Sequence, residues 1–382
     1  MNVIILGLGG MGSATACHLA ARGHHVLGLE QFTPLHDRGS SHGQTRVIRQ
    51  SYFESPAYVP LLLRAYELWR ELEYKTSRHL LHLCGGLMLG PPNSSVVAGS
   101  RASAVTHNLP HQILDAIDIH RRFPPLRPPD GTIGLFEQNA GFLLAEDSVK
   151  AHQDLARSLG ARLQFEETVL GWEATSGGVR VQSDGRTYEG DRLIITAGSW
   201  AGQVLAGLRL PLQVERQVLY WLEPSGSIEA FLPERFPVFI SETRDGLMPY
   251  GLPAISGHPG GVKVSLYHAQ NPTVCTPATI DRCIHEDEVA TMRRTITSLI
   301  PSLNGKLLDA KTCMYTNTPD QFFILDTHPA HSQVSIAAGF SGHGFKFCSV
   351  VGEIMADLAE TGQSRHDLGP FRLNRLQKPA SL

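Results

Sequence analysis

A glycine fingerprint set between two strand-like runs constrains this chain more than any other feature. Residues 2–6, N-V-I-I-L, form an apolar strand signal. G-L-G-G-M-G follows at residues 7–12, then S-A-T-A-C-H-L-A-A-R-G, a helical segment rich in small residues with Gly23 as its stop. H-V-L-G-L-E, ending on Glu30, reads as a second strand. Together they make a β-α-β unit of about 30 residues in the dinucleotide-binding pattern. Gly7, Gly9 and Gly12 let backbone approach a pyrophosphate at a helix N-terminus, where free N–H groups favour an anion. Glu30, ~18 residues beyond Gly12, is placed to accept hydrogen bonds from ribose hydroxyls, and its charge disfavours a 2′-phosphate. A plain surface glutamate is the alternative. The motif does not choose NAD over FAD.

A second glycine-rich segment lies at the other end of the chain. A-A-G-F-S-G-H-G-F-K-F-C, Ala337–Cys348, precedes an apolar helical run, Phe347–Glu360. Gly342, His343 and Gly344 allow close approach of backbone to a flat or anionic ligand, and Lys346 adds a full charge. Ser341 lacks a G-x-S-x-G context, which argues against a hydrolase.

Between these ends the chain alternates in character. Pro56–Glu73 is an amphipathic helix, with Leu61, Leu62, Ala65, Leu68, Trp69 and Leu72 on one face as core. Glu146–Leu159 is helical and stops at Gly160. Asp191–Ala201 reads as a buried strand returning to the nucleotide sheet, so that domain is discontinuous. Residues 212–312 read as largely β. The expected fold class is α/β with an α+β second domain. Residues 1–80, 143–211 and 313–382 are assigned to a Rossmann-like dinucleotide domain, and 81–142 and 212–312 to a mixed β-sheet substrate domain.

Composition excludes several functions. The formal net charge of −3 argues against a nucleic-acid or anionic-membrane partner. No apolar run reaches the roughly 18 residues that span a bilayer. The N-terminus lacks a basic n-region, so a cytoplasmic location is the default expectation. Cys17, Cys84, Cys275, Cys283, Cys313 and Cys348 are scattered without a C-x-x-C pair, and the histidines show no ligand spacing. Neither disulfides nor a metal site is expected.

G-S-S-H-G-Q-T-R-V-I-R, residues 39–49, places Arg46 and Arg49 three apart. On a helical turn they would share a face and could clamp a carboxylate or phosphate; two solvated surface arginines are the alternative.

That segment, with G-L-G-G-M-G, Y-V-P-L-L-L-R-A-Y-E-L-W, C-M-Y-T-N-T-P-D, G-F-S-G-H-G-F-K-F and H-D-L-G-P-F-R-L-N-R, resembles the monomeric sarcosine oxidase and N-methyltryptophan oxidase family of flavoenzymes. The similarity runs from about residue 3 to residue 376. The resemblance implies FAD, attached covalently through Cys313, and a monomer acting on an N-methyl amino acid with oxygen. It implies that Arg49 and Lys346 hold the substrate carboxylate, that Arg46, His42 and Thr45 lie at the flavin, and that the loop backbone at Gly342, His343 and Gly344 faces it. Lys263 would activate oxygen, and Tyr250, His268 and Tyr315 would line the substrate pocket. Two departures stand out. The family pattern S-H-H-G-D-T-R carries Ser41 and Gln44 here, which weakens the case for a cofactor contact at position 41. Lys263 and His268 are five apart where the family has four, and an odd shift turns a strand residue to the other face unless a bulge absorbs it. Sarcosine is the simplest substrate, with N-methyltryptophan or a pipecolate-type amino acid as alternatives. A nicotinamide-linked dehydrogenase or a non-catalytic FAD-binding module would be the competing classes.

Overall fold

The computed structural model describes residues 1–268 and 272–376. Two large sheets organise it. The first has six strands, in spatial order Ile324–His328, His331–Ala338, Arg192–Ile195, Asn2–Leu6, His25–Leu29 and Arg162–Gln164. All neighbours are parallel except the Ile324–His328 edge. Parallel strands need crossovers, so residues far apart in sequence meet at one sheet end. The fingerprint turn therefore lies beside Thr196 and below the loop that follows Ala338. The central strands carry Ile4, Ile5, Leu193 and Ile194, all buried, because helices cover the sheet.

The helix Gly10–Ala21 packs against the last helix, Cys348–Thr361, through small residues. A Cβ at Gly352 would come within 2.6 Å of the Ala14 backbone, so the close approach requires glycine. The amphipathic helix is Val59–Thr76, preceded by a single 3-10 turn at Pro56–Tyr58, and buries the apolar stripe read from its periodicity. Its Trp69 indole donates to Lys346 O at 2.8 Å, tying the helix to the glycine-rich loop.

The second large sheet is mostly antiparallel and has nine strands. The strands Gln213–Leu222 and Leu307–Asn317 form its longest pair, with Gln217 opposite Cys313 and Glu215 opposite Tyr315. Lys263, on Val262–Leu266, pairs with Trp221. The strand bearing Cys313 thus belongs to this sheet, and the expected boundary at 312/313 falls inside it. The segment 212–312 also contains a helix, Glu286–Thr297, which the largely β reading omitted. Only Met292 and Ile296 of that helix are buried, so its apolar signal is weak. A small third sheet holds Thr45–Ile48 against Gly141–Leu144 and Leu81–Leu83. The Arg46–Arg49 spacing therefore lies on a strand and its exit, not on a helix, and the shared-face expectation fails there. Residues three apart along a strand face opposite sides.

Candidate functional site

One cavity of about 780 Å³ runs between the two large sheets. Its size falls within the usual range for cofactor and ligand pockets.

One end is built by the fingerprint. Gly7 has φ +91°, open to glycine but strained for other residues, and Thr196 Oγ1 donates to Leu6 O and Gly7 O at 3.0 and 2.8 Å. Gly12 does not line the cavity. A Cβ there would overlap Gly7 O and stand 2.6 Å from Thr196 Oγ1, so its absence lets the helix seat on the turn. Gly9 caps the helix without a side chain, while Ser41 Oγ accepts from Gly10 N at 3.0 Å. Position 41 thus shapes the helix N-terminus and lines the cavity. Glu30 is buried; Oε2 accepts from Leu8 N at 2.9 Å and Oε1 from Phe32 N at 3.1 Å. Beyond it, Trp200 and His36 flank Phe32 at ring separations of 5.5 and 4.8 Å. His36, Trp200, Phe165 and Trp172 line this end with flat surfaces that no motif marks in the sequence. A side-chain-free cradle, a helix N-terminus, a carboxylate and aromatic faces fit an adenine dinucleotide.

The middle of the cavity carries Arg46 and Cys313. Arg46 donates to Thr45 O and Ser40 O, both at 2.9 Å, and its Nη2 stands 4.0 Å from Cys313 Sγ. Cys313 is buried against Leu219 and Trp221. The Arg46 guanidinium is thus the charged group set beside this sulfur. Cys348 also lines the cavity, but burial pushes its thiol well above the ordinary value. His42 and Thr45 lie behind the lining. Among the described residues His42 has no hydrogen-bond partner on either ring nitrogen, and burial, then Arg46, lowers its pKa to about 3. Lys263 is also behind the lining, 2% exposed, with Nζ donating to Gly43 O and Thr45 O at 2.7 Å each.

The far end is cationic. Arg49 is fully buried, its guanidinium 4.2 and 4.4 Å from the Tyr52 and Phe53 rings. Its Nη2 donates to both Glu54 carboxylate oxygens, at 2.8 and 2.7 Å, while Nε lacks a partner among the described residues. Burial opposes ionisation of Glu54, but Arg49, foremost, and Lys346 hold it below the usual carboxylate range. Lys346 Nζ donates to His343 O at 2.8 Å and reaches Tyr52 OH at 3.5 Å. Burial, then Arg49, brings its pKa down to about 7. Below about pH 7 two cations stand against one carboxylate, which leaves this wall able to take one more anion.

The loop fits itself around this end. Gly342 has φ +77°, and a Cβ there would meet the Tyr315 ring at 2.5 Å. His343 Nε2 lies 3.1 Å from Gln321 O, and its Nδ1 lies 2.6 Å from Tyr52 OH. That pattern fits a neutral ring with the proton on Nε2, consistent with burial lowering its pKa to about 3. Tyr250, Tyr315 and Gly344 complete the wall.

His268 does not line the cavity. Lys263, Ser265 and Tyr267 alternate onto one face, and Tyr267 reaches the cavity, its hydroxyl donating to Glu54 Oε1 at 3.3 Å. His268 turns away at φ +49° and meets the Tyr267 and Tyr315 rings edge-on from behind, with Nδ1 3.9 Å from Glu215 Oε2. The odd spacing is therefore expressed as a change of face. Sequence reasoning missed Tyr267 and Glu54; the parity of Tyr267 with Lys263 was the available signal. Among the described residues no His, Cys, Asp and Glu group could hold a metal, and no helix is long and apolar enough to cross a membrane.

Comparison with known proteins supplies the context of this site. The profile of the DAO family, FAD dependent oxidoreductase, matches residues 2–358. The chain is 51% identical to the monomeric sarcosine oxidase of Streptomyces avermitilis, covering 98% of this chain and 97% of that one. It is 36% identical to the N-methyl-L-tryptophan oxidase of Citrobacter koseri, with 98% of each chain covered. Among solved structures, NikD, an unusual amino acid oxidase essential for nikkomycin biosynthesis, aligns with a TM-score of 0.84 at 24% identity, over 97% of this chain and 96% of that one. At that identity the likeness bears on the fold alone.

Proposed function

The chain belongs to the FAD-dependent oxidoreductase family, and on that premise we propose that it oxidises N-methyl amino acids, with sarcosine the simplest substrate. The overall reaction takes the secondary amine, oxygen and one water to the primary amine, formaldehyde and hydrogen peroxide. Bound flavin supplies the two-electron acceptor for the hydride equivalent leaving the N-methyl carbon.

The observation that carries this reading is the pairing of Arg49 with Lys346 at one end of the cavity. An amino acid entering a dry pocket keeps its carboxylate charged only where cations replace water. Arg49 and Lys346 are the proposed anchors, with the substrate carboxylate competing with Glu54 for the guanidinium. Tyr250, Tyr267, Tyr315 and Ile240 exclude water beside it and orient the remainder of the substrate.

Gly7, Gly9 and Glu30 would seat the adenosine and pyrophosphate, with Gly12 letting the helix close on the turn; Arg46 and the Gly342–Gly344 backbone would flank the ring system, with His42 and Thr45 supporting them from behind the lining. Cys313 is the proposed covalent attachment residue, supported by the nearby Arg46 charge. Lys263 places a positive charge behind the Gly43–Thr45 turn, and its proposed role is to stabilise charge developing on oxygen. The dinucleotide sheet and the nine-stranded sheet would divide cofactor and substrate duties. The protein is proposed to act as a cytoplasmic monomer, without nucleic-acid or membrane partners.

The test is a peroxide and formaldehyde assay over sarcosine, N-methyltryptophan and pipecolate. Equal yields of both products from sarcosine are expected. Peroxide without formaldehyde, from pipecolate alone, would replace the substrate class. No peroxide from any of the three would end the oxidase reading.

A further inference from the structure

We propose that Glu146 is a positioning residue for Lys263, holding the turn whose two carbonyls aim the lysine's Nζ. The inference rests on the oxygen-side role of Lys263 given above.

Glu146 stands in the first turn of the helix Ala145–Ser158, whose N-cap, Leu144, offers no side-chain cap. Its carboxylate turns outward to the neighbouring loop instead. Oε1 accepts from Gly43 N at 2.6 Å and from Gln44 N at 3.2 Å, and Oε2 accepts from Gln44 N at 3.0 Å. The helix adds a bond of its own, from Ala145 N to Gln44 O at 2.7 Å. Both clipped residues have positive φ, +92° at Gly43 and +65° at Gln44. Such a turn is costly for a non-glycine residue and persists where its surroundings hold it. The Gln44 side chain supplies a second tether, accepting from Trp221 Nε1 at 3.0 Å and donating to His258 O.

The clip sets two groups of atoms on one turn. Its N–H groups meet Glu146, while the carbonyls of Gly43 and Thr45 converge on Lys263 Nζ. Among the described residues Lys263 has no carboxylate within ion-pair distance, and burial holds its pKa well below the ordinary value. The charged and titratable groups facing it are Arg46, which lowers it further, Glu146 and Cys313, which raise it, and the neighbouring His42. Glu146 is thus the carboxylate whose field favours the ammonium form, acting through the turn that it also holds in shape.

The experiment uses the flavin-loaded protein and four variants: Glu146→Gln, Glu146→Asp, Lys263→Met and Asp147→Asn. Asp147 is the exposed acid beside Glu146 in the same first turn, and controls for helix-end charge. Rapid-mixing measurements follow flavin reduction by sarcosine and reoxidation by oxygen separately, between about pH 6 and 10, alongside the flavin absorption spectrum without turnover. Glu146→Gln is expected to slow reoxidation about tenfold on the alkaline side, moving that limb down by about one pH unit. The pH-dependent spectral change should move the same way, while reduction changes less than about twofold. Glu146→Asp keeps the charge and should keep the wild-type limb; Asp147→Asn should match wild type throughout.

If Lys263→Met leaves reoxidation unchanged, the role of Lys263 falls and the inference with it. If Lys263→Met slows reoxidation but Glu146→Gln moves neither rate nor limb, the inference alone is overturned. Equal slowing of both half-reactions in Glu146→Gln, with no spectral shift, would mark the clip as merely structural and also overturn it. If Glu146→Gln does not fold, Glu146→Asp decides on rate: its side chain is one methylene shorter and loosens the clip, so reoxidation as fast as wild type refutes the proposal.

Discussion

Replacing Lys346 by Met should stabilise the protein and cripple it at once. Lys346 is 6% exposed, and its pKa falls from 10.5 to about 7. At about 1.4 kcal/mol per pH unit, keeping the ammonium charged in this place costs about 5 kcal/mol below pH 7. Met is close in volume and carries no charge. His343 O loses the lysine, and Tyr52 OH, 3.3 Å away, gives its one proton to His343 Nδ1, so the unpaired carbonyl offsets about 1–3 kcal/mol of the gain. The sign follows from proton counts. Between about pH 7 and 10.5 the unfolded chain binds the proton and the folded one does not, so wild-type stability climbs with pH in that window. The variant lacks this climb. Its advantage should be largest below pH 7, on the order of 3–6 °C in Tm for a chain of this size, and should vanish toward pH 10.5. Lost binding of the substrate carboxylate, about 1.5–3 kcal/mol for a charged hydrogen bond, should lower kcat/KM roughly 10- to 150-fold. Thermal unfolding across pH, with steady-state kinetics on sarcosine, tests both halves. A variant no more stable than wild type at pH 6, or one with unchanged kcat/KM, refutes the reasoning.

Three further perturbations follow from the same geometry. Gly12→Ala puts a Cβ onto Gly7 O, so the purified variant should lose its flavin absorbance; full flavin content would contradict the packing argument. Cys313→Ala should release flavin into the supernatant after acid precipitation, whereas wild-type flavin should stay in the pellet. Glu353, buried on the last helix, accepts from Arg64 at 2.8 Å, Arg365 at 2.6 Å and His366 at 3.0 Å. Burial opposes its ionisation, but His366, Arg64 and Arg365 prevail and hold the carboxyl far below its ordinary pKa. Its contribution is present above the unfolded carboxylate pKa and is lost as pH falls through the folded one. Glu353→Gln should cost about 2–4 kcal/mol at neutral pH, with the difference shrinking in acid; denaturant unfolding at two pH values checks this.

Much of the nucleotide end was legible because it depends on local chemistry. A glycine turn, a small-residue helix and an acidic strand end specify their own geometry over about 30 residues. The amphipathic helix Val59–Thr76 was legible for the same reason, since a period of 3.6 reports one buried face. The Arg46–Arg49 pair misled because spacing has meaning only once the element is known. On a strand that pairs with Gly141–Leu144, the two arginines part: Arg46 goes to Cys313 and Arg49 to Glu54. Glu286–Thr297 was missed because a helix with two buried residues leaves little periodic trace. Trp200 and Tyr267 carry no motif at all, since a flat wall needs only an aromatic ring in the right place.

The chain's local pattern alone specified a glycine turn with a helix start at Gly7–Gly12, an acid at the next strand end in Glu30, and a backbone-rich Ala337–Cys348 loop beside a cation. Those are properties of φ, side-chain size and charge within a few residues. Only tertiary structure decided which groups share the cavity. Parallel strands joined by long crossovers bring residues 7, 196 and 339 together, and a long antiparallel pair carries Cys313 to Arg46. Parity with Lys263 and Ser265 carries Tyr267, just past the strand Val262–Leu266, to the cavity, and the positive φ of His268 leaves that ring behind it. Burial, which no local pattern reveals, turned Lys346 from an ordinary surface amine into a group poised near pH 7.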